Sequence, residues 1–337
     1  MKDLQNYSLL AHNTFAIDAH CRRFVEYAST DELRAVLPSL KGDRVLHIGG
    51  GSNLLFTDFF DGVILHSAVR GRRVVEADAD TALLEVGGGE SFDETVDFCI
   101  QNGLYGLENL SLIPGEVGAA AVQNIGAYGA EAAQFIERVE AIDLESGETR
   151  FFSNSDCHYA YRQSVFKGEL RGRCAIVRVS LRLKKNFAPN FSYAALSREV
   201  EARGLKPDEL TAADVRRIVI ELRCRKLPEV GEVGSAGSFF MNPVVSAEQF
   251  ARIQTDYPDA PHYDVEGGVK VPAGWLIDRC GWKGRRIGAA GVWPEQALVL
   301  VNYGGATGAE IAALSADIQK DVLQKFGIAL HPEVNFV

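Results

Sequence analysis

Residues 114–129 read PGEVGAAAVQNIGAYG, and residues 49–53, further upstream, read GGGSN. Both stretches consist mostly of glycine, alanine and small amides. Residues without a long side chain let the backbone turn tightly and approach a flat or phosphorylated ligand closely. A lone glycine triplet is usually a surface turn, but two such stretches in one chain favour a ligand surface. The sequence therefore predicts that both segments contact a bound ligand.

The surroundings of the glycine triplet do not fit a Rossmann nucleotide site. Val45–Ile48 is predicted as a strand leading into the glycines, followed by short strands at 54–56 and 63–65 around an Asp61-Gly62 turn. A Rossmann site needs a helix that opens at the glycines and an acidic residue about 20 positions later. Because that context is missing, we expect backbone N–H groups of a loop to bind the pyrophosphate instead.

The overall composition limits the class of protein. A chain of 337 residues with 47% hydrophobic content is globular, with room for two or three domains. The net charge of −10 argues against a protein that binds nucleic acid through its overall field. The sequence contains no apolar run of bilayer-spanning length, and its N-terminus lacks a signal-peptide pattern. We therefore expect no membrane and no nucleic-acid partner.

The cysteines and histidines indicate the compartment and argue against a metal. The six cysteines are scattered without a CxxC pair, and the seven histidines show no metal-ligand spacing. Reduced thiols and a cytoplasmic location are the expected state, with no zinc or iron–sulfur site.

Helix start signals and strand-like runs are interspersed along the chain. The runs beginning at Ser29, Ser91 and Thr307 fit the capping box, in which a hydroxyl and an acid three residues later satisfy free N–H groups. Ile311, Leu314, Ile318 and Val322 form an apolar stripe on the last helix. Strand-like runs at 175–179 and 297–301 do not alternate strictly with helices, which predicts an α+β fold. A polar stretch at 199–209 is predicted as a linker between two parts of the chain.

Several motifs stand in the order found in one family of flavin enzymes. They are Gly49-Gly50-Gly51-Ser52-Asn53, Ile113-Pro114-Gly115, QNIGAYG at 123–129, Tyr161-Arg162, Gly237-Ser238-Phe239-Phe240 and Pro332-Glu333-Val334. Over nearly its whole length the chain resembles the UDP-N-acetylenolpyruvoylglucosamine reductases, which catalyse the second committed step toward the peptidoglycan precursor. The GSFF and QNIGAYG motifs together are highly specific. Tyr193, in a segment after Lys185, resembles the tyrosine loop of the type I subgroup.

This resemblance implies the domain organisation. It predicts an α+β protein with a two-lobed FAD-binding unit of the vanillyl-alcohol-oxidase (PCMH) type, followed by a smaller α+β substrate-binding domain. The expected bounds are 1–70 for the first FAD-binding lobe, 71–205 for the second lobe with the tyrosine loop near 187–197, 215–325 for the substrate-binding domain, and 326–337 for a C-terminal segment that returns to the active site.

The resemblance also implies non-covalent FAD as cofactor and NADPH as co-substrate. The expected FAD contacts are Gly49, Gly50, Gly51, Ser52, Asn53, Leu54, Ile113, Pro114, Gly118, Ala119, Gln123, Asn124, Gly126, Ala127, Tyr128, Ile176 and Arg223. In two half-reactions, NADPH would reduce FAD and leave, and the reduced flavin would then pass hydride to the substrate.

The substrate implied is an enolpyruvyl ether of a UDP-sugar. Hydride addition to its terminal carbon leaves enolate charge that needs a cation, and an α-carbon that needs a proton. By the resemblance, Arg162 meets the carboxylate, Ser238 donates the proton and Glu333 is a second polarising group. A guanidinium suits a carboxylate because it offers two parallel charge-assisted hydrogen bonds.

The expected substrate-binding residues are Tyr161, Tyr193, Lys226, Asn242 and Gln296, with Tyr193 closing over the nucleotide. Three positions depart from the family pattern: Gln163, Met241 and Asn335 stand where other members carry Asp, Lys and Arg. Met241 concerns one phosphate contact and leaves the catalytic set intact.

Two other functions are compatible with parts of this pattern. One is a different FAD-dependent oxidase or dehydrogenase on the same scaffold, since a shared scaffold does not determine the reaction. The other is a non-catalytic flavin or nucleotide-sugar binder. The GSFF and Pro-Glu-Val motifs favour the reductase, because an oxidase does not need an acid beside the substrate's α-carbon. We expect a monomer acting on a small molecule.

Overall fold

A computed structural model describes residues 1–229 and 231–337. Its strands are β1 (Lys2–Ser8), β2 (His20–Tyr27), β3 (Val45–Ile48), β4 (Leu54–Leu55), β5 (Phe60–Ser67), β6 (Arg72–Ala77), β7 (Thr81–Gly87), β8 (Gly126–Ala127), β9 (Ala130–Glu131), β10 (Ile136–Asp143), β11 (Thr149–Ser153), β12 (Cys174–Lys184), β13 (Gly234–Ser238), β14 (Val244–Val245), β15 (Tyr263–Val265), β16 (Gly268–Lys270), β17 (Arg286–Ile287), β18 (Ala290–Val292), β19 (Val299–Asn302) and β20 (Asn335–Phe336). Its α-helices are α1 (Thr30–Val36), α2 (Phe92–Gln101), α3 (Val117–Gln123), α4 (Ala194–Ala202), α5 (Ala212–Lys226), α6 (Ala247–Asp256), α7 (Ala273–Arg279) and α8 (Gly308–Phe326). Short 3-10 helices lie at Leu10–His12, Leu37–Leu40, Glu108–Leu110, Ala132–Gln134, Ser155–Cys157 and Pro207–Glu209.

The chain divides into two compact units. The first comprises Met1–Tyr7, Cys21–Gly50 and Asp61–Arg223, and the second comprises Ser8–His20, Gly51–Phe60 and Cys224–Val337. Each unit mixes helices and strands, as predicted for an α+β protein. The glycine triplet is shared, because Gly50 ends a segment of the first unit and Gly51 begins a segment of the second.

The first unit contains two larger sheets and the two-stranded sheet β8-β9. One larger sheet has the strand order β1-β2-β5-β3, with β3 and β5 parallel, and the other is antiparallel with the order β11-β10-β12-β7-β6. Strand β12 contributes to two cores, because successive side chains of a strand point to opposite faces. Ile176 packs in the core that contains residues of α2 and α3, whereas its neighbours Ala175 and Val177 pack in the core that contains residues of the four-stranded sheet.

The second unit packs its sheets and helices around one core. Its larger sheets have the orders β13-β19-β18-β17 and β14-β16-β15, and β4 pairs in parallel with β20. The predicted stripe of α8, from Ile311 to Val322, is buried in this core together with Phe15 and Leu55. Thr307 and Glu310 form the full predicted capping box. The N-terminal quarter of the chain thus supplies core residues to the second unit.

The structure corrects several local predictions. Asp61 and Gly62 lie inside strand β5, so the predicted turn there is wrong. Residues 199–209 are not a linker, because they include the end of α4 and the 3-10 helix Pro207–Glu209. Ser29 and Ser91 cap α1 and α2 as predicted. The acids three residues after these serines do not complete the predicted capping boxes. The Glu32 carboxylate accepts a hydrogen bond from the Ala28 N–H, and the Glu94 carboxylate pairs with Arg72.

Gly51 occupies a position that excludes any side chain. Its φ is +63°, and a Cβ there would overlap the carbonyl oxygen of His12. We expect Gly51→Ala to lower the free energy of unfolding by about 2–4 kcal/mol, from backbone strain together with a backbone clash. Gly42→Ala is the matched control, because Gly42 has a φ of +86° and no heavy atom within 4 Å of the added Cβ. Strain alone predicts about 1–2 kcal/mol for the control. Urea unfolding measures both variants. Equal losses of unfolding free energy in Gly51→Ala and Gly42→Ala would contradict a clash at Gly51.

Candidate active site

The two predicted glycine segments meet within the first unit. A Cβ on Gly49 would lie 2.9 Å from the Cβ of Ala119, and one on Gly50 would lie 3.4 Å from the Cα of Gly115. Gly118 is equally confined, since its own Cβ would lie 3.1 Å from the carbonyl oxygen of Gly88. The small residues permit backbones to approach to distances that larger side chains would prevent. This close-packed pair of loops fits a cradle for a phosphorylated ligand.

The loop that precedes Pro114 is held by charged side chains. Leu112 has a left-handed φ of +58°, its N–H donates to the Asp93 carboxylate, and its carbonyl accepts from Arg223 Nε at 3.2 Å. Arg216 forms two hydrogen bonds with Asp93, at 2.6 and 3.0 Å. Burial opposes ionisation of Asp93, but the hydrogen bonds from Arg216 and the Leu112 N–H, together with the charges of Arg216 and Arg223, outweigh burial and lower the pKa of this carboxyl. The predicted FAD residue Arg223 therefore lies next to the Ile113-Pro114 segment.

Asn124 shapes the QNIG segment. It is the C-cap residue that follows α3, with a φ of +44°. Its side-chain nitrogen donates to Glu131 Oε2 at 2.9 Å and to the carbonyl of Ala160 at 3.0 Å, while its side-chain oxygen accepts from the Ala133 N–H at 2.9 Å. The side-chain amide is engaged within the protein and buried. Asn124 therefore fixes the loop, rather than presenting its side chain to a ligand.

Arg162 is held beside this segment in a strained conformation. Its φ is +55°, and its guanidinium donates to the carbonyls of Gly126 at 2.6 Å and Asn124 at 3.3 Å. Its Cζ lies 5.0 Å from the centre of the Tyr161 ring, and Lys167 Nζ donates to its carbonyl at 2.9 Å. A non-glycine residue keeps a left-handed backbone only where its surroundings impose it. These contacts fix the cation next to the QNIGAYG loop.

Tyr193 precedes α4 and lies near the end of the same loop. Its ring centre is 5.5 Å from that of Tyr128, with the two planes at 83°. The buried Asn109 side chain donates to the carbonyls of Tyr128 at 2.7 Å and Asn190 at 2.8 Å. Asn190 in turn donates to the carbonyl of Gly129 at 3.1 Å. We call these three contacts the Asn109 bridge, which joins the tyrosine segment to the QNIGAYG loop.

In the second unit, the GSFF and Pro-Glu-Val motifs are joined by main-chain hydrogen bonds. The Glu333 N–H donates to the carbonyl of Phe239 at 2.8 Å, and the Met241 N–H donates to the carbonyl of His331 at 2.9 Å. Phe239 and Phe240 are buried, whereas Ser238 is exposed at the end of β13. The pairing thus places Ser238 and Glu333 on neighbouring segments.

Asn53 connects the glycine triplet to the same place. Its side-chain nitrogen donates to the carbonyl of Glu333 at 3.1 Å. Its own carbonyl accepts from the Asn335 N–H at 3.1 Å and from the Asn335 side chain at 3.2 Å. Asn335, one of the departures from the family pattern, therefore has a defined structural partner. Three motifs from distant parts of the sequence meet within this unit.

Two predicted substrate residues meet at the start of α7. The Asn242 side-chain oxygen accepts from the Ala273 N–H at 2.9 Å. A Cβ on the neighbouring Gly274 would lie 2.8 Å from Gln296 Oε1. Lys226 is exposed at the last position of α5. The structure therefore brings together Asn242 and Gln296 from separate loops.

The remaining predicted residues lie in or beside these loops, with one exception. Leu54 is in β4, Ala127 is in β8 and Gln123 ends α3. Ile176 is different because its side chain is buried in the hydrophobic core of the first unit. Arg162 belongs to the first unit, and Ser238 and Glu333 belong to the second.

A buried cluster beside the glycine segments was not predicted. His66 bonds Glu26 Oε2 at 3.0 Å through Nδ1 and Glu116 Oε1 at 2.8 Å through Nε2. His66, Glu26 and Glu116 lie on three separate segments of the chain, so no local sequence motif predicts the cluster. Only the position of Glu116 inside PGEVG was a signal.

Residues 1–229 and 231–337 contain neither a candidate membrane-spanning helix nor a candidate metal-binding cluster. No helix there is both long and apolar enough to cross a membrane. No group of three or more His, Cys, Asp or Glu side chains in those ranges is arranged to hold a metal ion.

Comparisons with known proteins agree with the geometry. Residues 229–337 match the family described as the C-terminal domain of UDP-N-acetylenolpyruvoylglucosamine reductase, and residues 21–153 match an FAD binding domain. The UDP-N-acetylenolpyruvoylglucosamine reductase of Bacteroides fragilis (strain YCH46) is 50% identical over 335 residues, 99% of each chain. The chain belongs to this reductase family. The Burkholderia ambifaria (strain MC40-6) reductase is 49% identical, over 98% of this chain and 95% of that protein.

A solved structure supports the fold. The crystal structure of UDP-N-acetylenolpyruvylglucosamine reductase from Thermus caldophilus is 22% identical, has a TM-score of 0.69 and covers 99% of this chain and 98% of its own. The predicted family, the α+β fold with its FAD-binding unit, and FAD as cofactor are therefore confirmed.

We expect the Asn109 bridge to stabilise the two segments that it joins. Asn109→Ala leaves two carbonyls without their donor, at a cost of about 1–3 kcal/mol for each one buried. We expect amide hydrogen exchange to become at least about tenfold faster in residues 126–130 and 187–193, and to change little elsewhere. Asn102→Ala is the control, because Asn102 also donates to a carbonyl, that of Phe98, but is exposed. Unchanged exchange in both segments would contradict the bridge.

Proposed function

We propose that this protein reduces the enolpyruvyl double bond of UDP-N-acetylglucosamine enolpyruvate to give UDP-N-acetylmuramate, with NADPH as the reductant. The reaction belongs to the synthesis of the peptidoglycan precursor, and so to cell-wall biogenesis, cell shape and cell division. The observation that carries the proposal is the 2.8 Å hydrogen bond from the Glu333 N–H to the carbonyl of Phe239. It supports a shared site because it holds the proposed acid, Ser238, next to Glu333.

The paired glycine segments are the proposed FAD site. Gly49, Gly50, Gly118 and Ala119 would present backbone to the pyrophosphate, and Arg223 would supply a cation next to Pro114. Non-covalent FAD, when bound, carries hydride between NADPH and the substrate. We expect Ile176 to contribute through its main chain, since its side chain is buried. In domain terms, we assign 1–70 and 71–205 to the FAD lobes, 215–325 to the substrate and 326–337 to the returning segment.

Arg162 is the proposed partner of the substrate carboxylate. Negative charge spreads onto this carboxylate when hydride reaches the terminal carbon, so a fixed cation stabilises the transition state more than the substrate. One preorganised donor of this kind typically lowers the barrier by about 3–4 kcal/mol. The hydrogen bonds to Gly126 and Asn124 support this role, because they fix the cation before the substrate arrives.

Ser238 is the proposed proton donor to the α-carbon, and Glu333 the second polarising group. A serine hydroxyl is a weak acid, but an α-carbanion is a much stronger base than an alkoxide in water. The exposed position of Ser238 at the end of β13 leaves its hydroxyl accessible to a substrate. Glu333 can assist only if its carboxyl is neutral or hydrogen-bonded, since a free carboxylate would repel the enolate.

For the UDP group we propose Tyr161, Lys226, Asn242 and Gln296, with Tyr193 closing over the nucleotide. The meeting of Asn242 and Gln296 at the start of α7 supports a common role. We further propose a cytoplasmic monomer. The location rests on the scattered cysteines, which contain no CxxC pair, and size-exclusion chromatography tests the monomer.

Anaerobic mixing tests the function directly. NADPH alone should bleach the flavin absorbance, and the UDP-enolpyruvyl sugar, added next, should restore it with formation of UDP-N-acetylmuramate. A flavin-containing protein that NADPH cannot bleach would instead be a binder. Flavin that is reduced by an alcohol or a hydroxy acid would indicate an oxidase.

Ser238→Ala separates the two half-reactions. Flavin reduction by NADPH should remain nearly unchanged, because that step needs no proton at the substrate carbon. Reoxidation by the UDP-enolpyruvyl sugar should slow by roughly 10²–10⁴-fold, the usual effect of losing a positioned general acid. Ser238→Cys is the matched variant, and it should restore part of the rate because a thiol is a better acid of similar size. Rapid-mixing absorbance measures both steps, and equal slowing of both would exclude the donor role.

Tyr193→Ala tests the nucleotide contact. The side chain is 43% exposed, so it is accessible for stacking on a base. We expect substrate binding to weaken by about 1–3 kcal/mol, the usual value for one base–aromatic stack, with little change in flavin reduction by NADPH. Tyr193→Phe, which keeps the ring, should bind the substrate almost as the unchanged protein does. An unaltered substrate dissociation constant in Tyr193→Ala would contradict the role.

A further inference from the structure

A charged cluster in the first unit is centred on the buried His66 and extends to the exposed Lys2. His66, on β5, is only 8% exposed and bridges two carboxylates, Glu26 on β2 and Glu116 just before α3. Lys2 Nζ, on β1, pairs with the other oxygen of Glu26 at 2.7 Å. A buried imidazole between two carboxylates is stabilised as the imidazolium, since both ring N–H groups then donate to an anion.

This cluster is continuous with the glycine segments. Glu116 belongs to PGEVG, and its Oε2 would lie only 3.2 Å from a Cβ added to Gly49. The carboxylate of Glu116 therefore lies directly against the backbone proposed to hold the FAD pyrophosphate. An uncompensated carboxylate at this place would repel a bound diphosphate, because a Coulomb interaction is weakly screened in a buried site.

The charges of Lys2, His66, Glu26 and Glu116 balance while His66 carries a proton. Lys2 and the His66 imidazolium then offset Glu26 and Glu116. His47 on β3 adds no charge, since burial and the nearby His66 lower its pKa to about 4, and it bonds Tyr27 at 2.7 Å. Burial of Tyr27 raises the pKa of its hydroxyl, so Tyr27 stays neutral as well. Loss of the His66 proton would leave one net negative charge beside Gly49.

We propose that protonated His66 is a positioning residue for the cofactor, which neutralises Glu116 beside the diphosphate-binding segments and thereby strengthens FAD binding. The inference rests on the proposed FAD site and adds a proton-linked control of its affinity. Burial of the imidazole opposes the proton, but hydrogen bonds with Glu116 and Glu26 outweigh burial and raise the pKa of His66. FAD binding is therefore strongest at low pH, and weakens as the pH rises through this raised pKa.

The test is the FAD dissociation constant of the holoenzyme, measured from flavin fluorescence on dilution between pH 6 and 9. In the unchanged protein we expect the constant to rise by about tenfold, which corresponds to a difference of one pKa unit between the free and bound states. His66→Gln should bind FAD about tenfold more weakly at pH 6 and lose this pH dependence. His20→Gln is the control, since His20 is 40% exposed, and it should keep the profile of the unchanged protein.

Glu116 variants distinguish this charge effect from a merely structural one. Glu116→Gln should shift the rise in the dissociation constant to lower pH, because His66 loses one of its two carboxylate partners. The double variant, His66→Gln with Glu116→Gln, should recover affinity to within about threefold of the unchanged protein at pH 6, because the carboxylate that His66 offsets is gone. If His66→Gln alone fails to fold, the pH profile of Glu116→Gln still tests the proposal.

Each outcome has a clear meaning. An unshifted profile in Glu116→Gln, or a double variant as weak as His66→Gln, would overturn the role of His66. A protein that binds no FAD at any pH would overturn the proposed function itself. FAD binding without any pH dependence would overturn only this inference.

Discussion

The hydrogen bond from the Glu333 N–H to the carbonyl of Phe239 is the constraint on which the second unit's site depends. A main-chain bond fixes both backbones without engaging the Ser238 hydroxyl or the Glu333 carboxyl, the two groups proposed for the chemistry. Asn53 adds a third segment through the carbonyl of Glu333. Residues 280 positions apart in the chain are thus joined by the side-chain amide of Asn53 and the main-chain carbonyl of Glu333.

In the first unit the equivalent constraint is close backbone packing with unusual dihedral angles. Leu112, Asn124, Tyr128 and Arg162 all have a positive φ although none is glycine. Such conformations cost about 1–3 kcal/mol each and persist where surrounding contacts impose them. Here they lie in or beside the proposed cofactor loops and the proposed catalytic arginine. This distribution agrees with a preorganised site, in which the fold bears the strain before any ligand binds.

Local features of the fold could be predicted from the sequence, and long-range ones could not. The strand Val45–Ile48 and the capping box at Thr307 follow from short patterns, and the structure contains both. The Asp61-Gly62 turn was wrong because β5 lies between β2 and β3 in the sheet, and this long-range strand pairing outweighs a local turn signal. The membership of segment 51–60 in the second unit also has no local sign, since it depends on the pairing of β4 with β20. The same reason explains why the His66 cluster was missed. Arg162, Ser238 and Glu333 were predicted from ordered family motifs, and their roles stay predictions.

The central claim is that Ser238 and Glu333 act as one unit because the backbone joins them. A double-mutant cycle with Ser238→Ala and Glu333→Gln, followed by the rate of flavin reoxidation by the UDP-enolpyruvyl sugar, tests this claim most directly. Residues that act together lose activity non-additively. We predict that the double variant is about as slow as the slower single variant. A rate loss equal to the product of the two single losses would show that the residues act independently, and would contradict the account.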